Sequence, residues 1–398
     1  MNANAQSLPV ASAEDSIPAA TNTARLPWYL FAVVFGAACI PLGVLWDISW
    51  HSTIGRDTFW TPAHMLIYLG GTLPGFVCGW VVLQSTFWPA AAGQTPGVRL
   101  WGFRGPLGAW VIIWGSFVML VSAPFDNWWH NAYGLDVQIL SPPHTVLALG
   151  MYGVTVGAAL IALSWKNRSP VEQRAMPGRL FLFSCGTLVT MVAIILTEFI
   201  YPNHQHSAFF YKITCALLPF SLIVAVRASN VRWAATAVGG TYALMLLTMI
   251  WLLPLFRAQP MLAPIYNPLK HMAPPPFPLL IIVPAIGIDL LMRFTGQRRG
   301  FWRDTGLALL LGLVFFLFLL AAQWPFSHFL LSPAARNPFF AGNAMWSYAD
   351  RLGPWTSEFW GVREDPLTLN AAVIAILLAS LNSRIALGFG NWLSAVKR

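Results

Sequence analysis

The chain has 398 residues, of which 57% are hydrophobic and only 9% charged, with a mean hydropathy of +0.61. Soluble domains average about 25% charged residues, so this composition excludes an ordinary soluble globule. The formal net charge of +9 comes without a basic stripe interleaved with aromatics, which argues against a nucleic-acid partner.

Long apolar runs separated by short polar clusters predict an all-α, polytopic bundle of transmembrane helices. A polar, Ala/Ser/Asn-rich segment over 1–26 precedes the first run and reads as a disordered tail. About ten spans follow in chain order: 27–46, 63–85, 106–124, 143–165, 179–200, 208–226, 233–255, 276–296, 305–323 and 367–388. The runs show no period-2 alternation, which speaks against strands. With the N-terminus inside, 16 of the 23 Lys and Arg fall in cytoplasmic segments, so both termini are expected to be cytoplasmic. That orientation puts all 8 histidines at or near the outer face, the periplasm if the membrane is a bacterial inner membrane. Cys39, Cys78, Cys185 and Cys215 each lie within a span, form no CxxC and read as core residues.

A polar cassette occurs twice. The first copy is WDISWHSTIGRDTFWTPAHMLIYLG, Trp46 to Gly70, and the second is FDNWWHNAYGLDVQILSPPHTVLALG, Phe125 to Gly150. Both read aromatic-Asp-x-x-Trp-His-x-x-x-Gly-x-Asp, then Pro-x-His, then Gly. The copies sit in two parallel helical hairpins, 27–85 and 106–165. A third hairpin, 179–226, keeps a weaker echo in Glu198, Tyr201, Pro202, His204 and His206. Residues 233–398 lose the cassette and are read as additional spans, with an outer cap over 324–366 and a surface helix over 340–361.

Asp47 and His51 are four residues apart, as are Asp126 and His130. If the preceding span continues outward as a helix, each pair lies on one face, one turn apart. His64 and His144 open the returning spans, each two residues after a proline that suits a helix start. Each hairpin thus offers one carboxylate and two imidazoles, a set suited to copper, zinc or iron. Asp57 and Asp136 are candidates either to hold the free imidazole N–H of a ligand or to cap a helix. The plainer alternative is a solvated interface loop, with Trp50, Trp60, Trp128 and Trp129 in an aromatic belt. Repetition of metal-ligand residue types favours the metal reading. Glu198, His204 and His206 are candidates for a further site or a proton relay, against an interfacial turn. His328 reads as structural, and Asp289 with Arg293 as an i,i+4 ion pair. No Walker loop, GxSxG or HExxH occurs.

The spacing Asp47-x3-His51-x12-His64 resembles the metal-binding motif of the C-type subunit of the copper membrane monooxygenases, which include particulate methane and ammonia monooxygenases. Asp126-x3-His130-x13-His144 is similar in spacing to the neighbouring second cluster of that family, where an Asn stands first. Here Asp126 supplies an anionic ligand instead. The resemblance covers about residues 30–165, extending weakly to 226; the chain is longer than its family counterpart, and its later spans have no equivalent there. It implies copper as cofactor and oxidation of a small apolar substrate by dioxygen near the outer leaflet. It also implies partner subunits, one with a periplasmic cupredoxin-like domain; no such domain is visible in this chain. Two other functions compete: a transport or metal-handling protein with outer Asp/His sites, and a non-catalytic structural or assembly component of a membrane complex.

Overall fold

The computed structural model describes residues 26–55, 57–88, 97–133, 141–261, 269–296, 298–341 and 365–397, apart from the side chains of His130 and Glu198. Most of the expected tail, Asp136 and most of the proposed outer cap, including its surface helix, lie outside these residues.

Among the described residues, eleven α-helices build a bundle. They are α1 (Trp28–Thr53), α2 (Pro62–Phe87), α3 (Leu107–Tyr133), α4 (Pro142–Arg168), α5 (Ala175–Ile195), α6 (Ala208–Leu217), α7 (Pro219–Ser229), α8 (Ala234–Leu252), α9 (Ile282–Thr295), α10 (Phe301–Leu331) and α11 (Leu369–Leu393). Among the described residues, nine segments are long and apolar enough to cross a membrane, with α6 and α7 together making one. The protein is therefore an integral membrane protein. Pro219 divides α6 from α7 because it lacks an N–H for the helical ladder.

The expected span 276–296 is shorter as a helix. Only α9, of 14 residues, is helical there. At 1.5 Å per residue it reaches roughly 21 Å, short of the hydrocarbon core of about 30 Å. Pro274, Pro275, Pro276 and Pro278 count as apolar but supply no amide hydrogens, so the preceding segment stays extended. Two further features depart from plain spans and loops. The linker between the first two hairpins forms a small antiparallel ribbon, β1 (Val98–Leu100) with β2 (Phe103–Gly105). The start of the expected outer cap is helix, because α10 runs on to Leu331.

Glycines set the spacing within the first two hairpins. A Cβ on Gly70 would lie 3.0 Å from the Gly36 carbonyl oxygen, and one on Gly115 would lie 2.7 Å from the Gly150 carbonyl oxygen. Gly36 and Gly115 each stand eleven residues before their cassette's first Asp. Gly70 and Gly150 each stand six after its last His. The repeat thus extends beyond the polar cassette to the crossing point of each helix pair, where missing side chains let backbones touch. This contact holds the outgoing and returning helices close enough for their ends to share ligands. Between the hairpins, Ser116 Oγ donates to the Gly71 carbonyl at 2.8 Å, joining α3 to α2.

The cassettes gather at one end of the bundle. There, Ser49 Oγ donates to the Ala273 carbonyl, while the Ala273 N–H donates to Thr53 Oγ1 at 2.8 Å. The extended segment before α9 is thereby clamped to the last turns of α1. Leu280 N–H donates to Gln323 Oε1 at 2.8 Å, and Gln323 Nε2 donates to Gln205 Oε1 at 2.7 Å, which ties α10 and the α5–α6 loop to the same end. At the opposite end, Arg227, only 2% exposed, pairs with Asp304 at 2.9 Å and Asn391 at 2.7 Å. The expected pair of Asp289 with Arg293 does not form among the described residues. Asp289 instead accepts from the Ala235 and Thr236 amides at the start of α8, and Arg293 lies over the Trp233 ring. Donors at a helix N-terminus stabilise a buried carboxylate directly.

Candidate metal centre

α1 continues as a helix through Thr53, so Asp47 and His51 do fall one turn apart on one face. The chain then turns back. Gly55 takes φ +79°, and the Thr61 amide donates to the Thr58 carbonyl at 3.0 Å while the Thr58 amide donates to Thr61 Oγ1 at 2.8 Å. Pro62 starts α2, and His64 sits in its first turn.

Asp47, His51, Asp57 and His64 converge, with one ligand atom from each lying within 4.8 Å of all the others. His64 Nε2 is 3.1 Å from Asp47 Oδ1 and 3.3 Å from Asp57 Oδ2. His51 Nε2 is 3.5 Å from Asp57 Oδ2 and 3.7 Å from Asp47 Oδ2. It is the most open of the four, its side chain 49% exposed against 21% for Asp47 and His64.

The tautomer of His64 follows from its other nitrogen. Nδ1 lies 2.9 Å from the Thr58 carbonyl oxygen, which only accepts, so Nδ1 carries the hydrogen. A neutral His64 then presents a bare lone pair at Nε2, directly facing two carboxylate oxygens. Lone pairs at 3.1–3.3 Å repel unless a second proton on the ring or a metal cation lies among them. Charge-assisted N–H···O bonds run at about 2.7–2.9 Å. The spacings here are wider, near the edges of a polyhedron with metal–ligand bonds of about 2.0–2.2 Å. The C-terminal turn of α1 adds further negative potential. The residues fit a transition-metal cation.

Of the two roles expected of Asp57, the contact with a ligand imidazole is compatible with the structure, through His51, and the helix cap is not. Asp57 faces the same imidazole nitrogens as Asp47 and so stands inside the cluster, while the backbone carbonyl of Thr58 holds the N–H of His64. The N-cap position of α2 is Thr61. A hydrogen bond with His51 holds the Asp57 carboxyl below the usual carboxylate range, against the opposing push of burial.

In the second cassette, α3 carries Asp126 and His130 on one continuous helix, and His144 lies in the first turn of α4. Asp126 Oδ1 is 3.6 Å from His144 Nε2. The Ser141 hydroxyl caps α4 by accepting the His144 amide at 3.4 Å. The His130 side chain and Asp136 lie outside the described residues. Tyr68 was missed in the sequence, although it follows His64 by one helical turn. Its ring lies 6.1 Å from that of His64, and its hydroxyl is within electrostatic range of Asp126, Asp47 and Asp57. The two cassettes therefore share one neighbourhood.

Of the third group, His206 is buried and packs against Trp324 and His328, while the Glu198 side chain lies outside the described residues. His204 belongs to the short turn Pro202–His204, and its N–H donates to the Tyr201 carbonyl at 2.8 Å. The four cysteines are buried and unbridged.

The chain matches no family model, no curated protein and no solved structure.

Proposed function

We propose that this protein is a copper-dependent membrane monooxygenase or the metal-bearing subunit of one, acting on a small apolar substrate at the outer face of a bacterial inner membrane. The observation that carries the metal reading is the convergence of Asp47, His51, Asp57 and His64, one ligand atom from each lying within 4.8 Å of all the others. Asp47, Asp57, His51 and His64 would hold the ion, and copper there supplies redox chemistry toward dioxygen. Two carboxylates offset the charge of a divalent cation at an apolar boundary. Thr58 fixes the tautomer of His64, and Asp47 and His51 share one rigid helix turn, so the donor set is held in place before the ion arrives. The half-open His51 leaves one side of the centre accessible. Phe59, Trp60 and Met65 are exposed beside it and make the surroundings apolar, which suits an apolar substrate arriving from lipid.

Copper is favoured over zinc and iron by the resemblance in spacing to the copper monooxygenases and by the intrinsic affinity order of nitrogen and oxygen sites. Partner subunits, including one with a cupredoxin-like domain, belong to the same reading. Transport is less well supported, because Asp289, a candidate inward step, is taken up by the α8 N-terminus.

The test is elemental analysis of protein purified from membranes without chelator, beside Asp47→Ala, His51→Ala and His64→Ala. Copper in wild type and its loss in the Asp47 and His64 variants are expected. Equal trace metal in all four proteins would sink the reading.

A further inference from the structure

The ribbon of β1 and β2 joins the end of α2 to the start of α3, at the opposite end of both helices from the cassettes. Both helices are long and apolar enough to cross a membrane, so the ribbon that links them lies at a membrane boundary. It is fixed there on two sides. The Arg104 amide donates to Thr86 Oγ1 in the last turn of α2 at 2.9 Å, and the Trp110 indole N–H in the first turn of α3 donates to the Val98 carbonyl at 3.2 Å.

Two features of this ribbon work against its own stability. Arg99 and Arg104 stand directly opposite each other across the strands, which puts both side chains on one face with Cβ atoms about 5 Å apart. Like charges so placed repel. Both arginines are exposed, and no carboxylate among the described residues pairs with either. The turn between the strands is Trp101–Gly102, with φ of +50° and +86°. Glycine suits that left-handed conformation, but a bulky residue does not; Asn or Asp is the usual choice at the first position. A two-stranded ribbon has little stability to set against either feature.

What Trp101 gains is position. Its side chain is 74% exposed, yet its ring lies edge-on to that of Trp114 at 5.6 Å. Trp114 stands two turns into α3, so the indole at the tip is turned back along the span. Trp114 in turn meets Phe117 at 5.9 Å, and all three rings are exposed. On the ribbon face opposite the arginines, Phe103 packs against Phe87 at the end of α2 at 6.1 Å. The ribbon thus has one apolar face on the helices and one face carrying two cations, with amphipathic rings at the level where headgroups begin.

We propose that this ribbon binds an anionic diacyl phospholipid, its phosphate held between Arg99 and Arg104 and its acyl chains lying along Trp101, Trp114 and Phe117. Phosphate oxygens accept from both guanidinium groups and remove the repulsion between them. A zwitterionic phospholipid would bring its own cation to the same place, so a headgroup of net negative charge is favoured.

The test uses the full-length protein in neutral detergent, titrated with phosphatidylglycerol or with phosphatidylcholine of the same acyl chains, with bound equivalents read by native mass spectrometry. Wild type should hold phosphatidylglycerol about 10-fold more tightly than phosphatidylcholine. Arg99→Gln/Arg104→Gln should lose that preference, Arg99→Lys/Arg104→Lys should keep most of it, and Arg336→Gln, beyond the far end of α10, should leave it unchanged. Trp101→Asn relaxes the turn, so it should weaken lipid binding without lowering the unfolding temperature of the lipid-free protein. Equal binding of the two lipids by wild type overturns the proposal and leaves the arginine pair to an acidic partner protein. An unchanged preference in the Gln double variant also overturns it, as does a Lys double variant that behaves like the Gln one. Displacement of the lipid by inorganic phosphate at equal concentration would assign the site to a free anion and overturn it as well.

Discussion

His64 Nε2 stands 3.1 Å from Asp47 Oδ1 while its Nδ1 donates to the Thr58 carbonyl, so either a second proton or a metal ion must lie between Nε2 and the carboxylate. In the proposed reading a copper ion takes that place. Asp47→Asn keeps the shape and removes the charge. It should weaken metal binding more than about 100-fold, beyond the 10–100-fold typical of residues that merely support a ligand. Competition titration with a chelator of known affinity measures it, with Asp57→Asn beside it as the internal comparison.

Acid behaviour follows from Asp57. Its carboxyl is held low in the folded protein by His51, so ionised Asp57 stabilises the fold above the unfolded carboxylate value of about 3.9. That contribution disappears as pH falls through the lower folded value. In metal-free protein, Asp57→Asn should be less stable than wild type near neutrality, and the difference should vanish at the acid end. Thermal unfolding between about pH 3 and 7 checks this.

The glycine crossings should control the cassettes from a distance. A methyl group on Gly70 would meet the Ile40 side chain at 2.6 Å and the Gly36 carbonyl at 3.0 Å. Gly70→Ala should cost about 1–3 kcal/mol and reduce metal retention with it, because the same contact spaces α1 from α2. Unfolding temperature and metal content, measured on the same preparation, should fall together. Gly79→Ala, where nothing lies nearby, should change neither.

Thr53 is a second point of control. Its hydroxyl accepts the buried Ala273 amide and donates to the Ser49 carbonyl at 2.7 Å. Thr53→Val keeps the volume and strands that amide, at a cost of about 1–3 kcal/mol. Hydrogen exchange at Ala273 should accelerate accordingly.

At the far end, Arg227→Met leaves Asp304 buried without its partner and should destabilise by about 3–5 kcal/mol. Adding Asp304→Leu should restore most of that loss. Unfolding of the single and double variants distinguishes a buried pair that is costly to break from one that is needed in itself, and metal content should stay at wild-type level throughout.

Much of the first cassette was legible because its chemistry lies on helices. Asp47 and His51 follow a one-turn spacing, and Pro62 marks where His64 must start the return. The direct approach of Asp57 to both imidazoles was not legible because loop residues carry no period: the reversal at Gly55 and the Thr58–Thr61 turn swing it into the cluster. The His206–His328 contact was invisible because its partners lie far apart in the chain and no spacing relates them. Hydropathy overcounted at 276–296 for a simple reason: proline is apolar enough to lengthen a run and unable to lengthen a helix.

The central claim is that Asp47, Asp57, His51 and His64 enclose one copper ion. X-ray absorption at the copper edge of the copper-loaded protein tests it most directly. The account predicts nitrogen and oxygen donors at about 2.0–2.2 Å with imidazole scattering that diminishes in a further His64→Ala variant. A spectrum unchanged by His64→Ala, or copper without imidazole scattering, would contradict it.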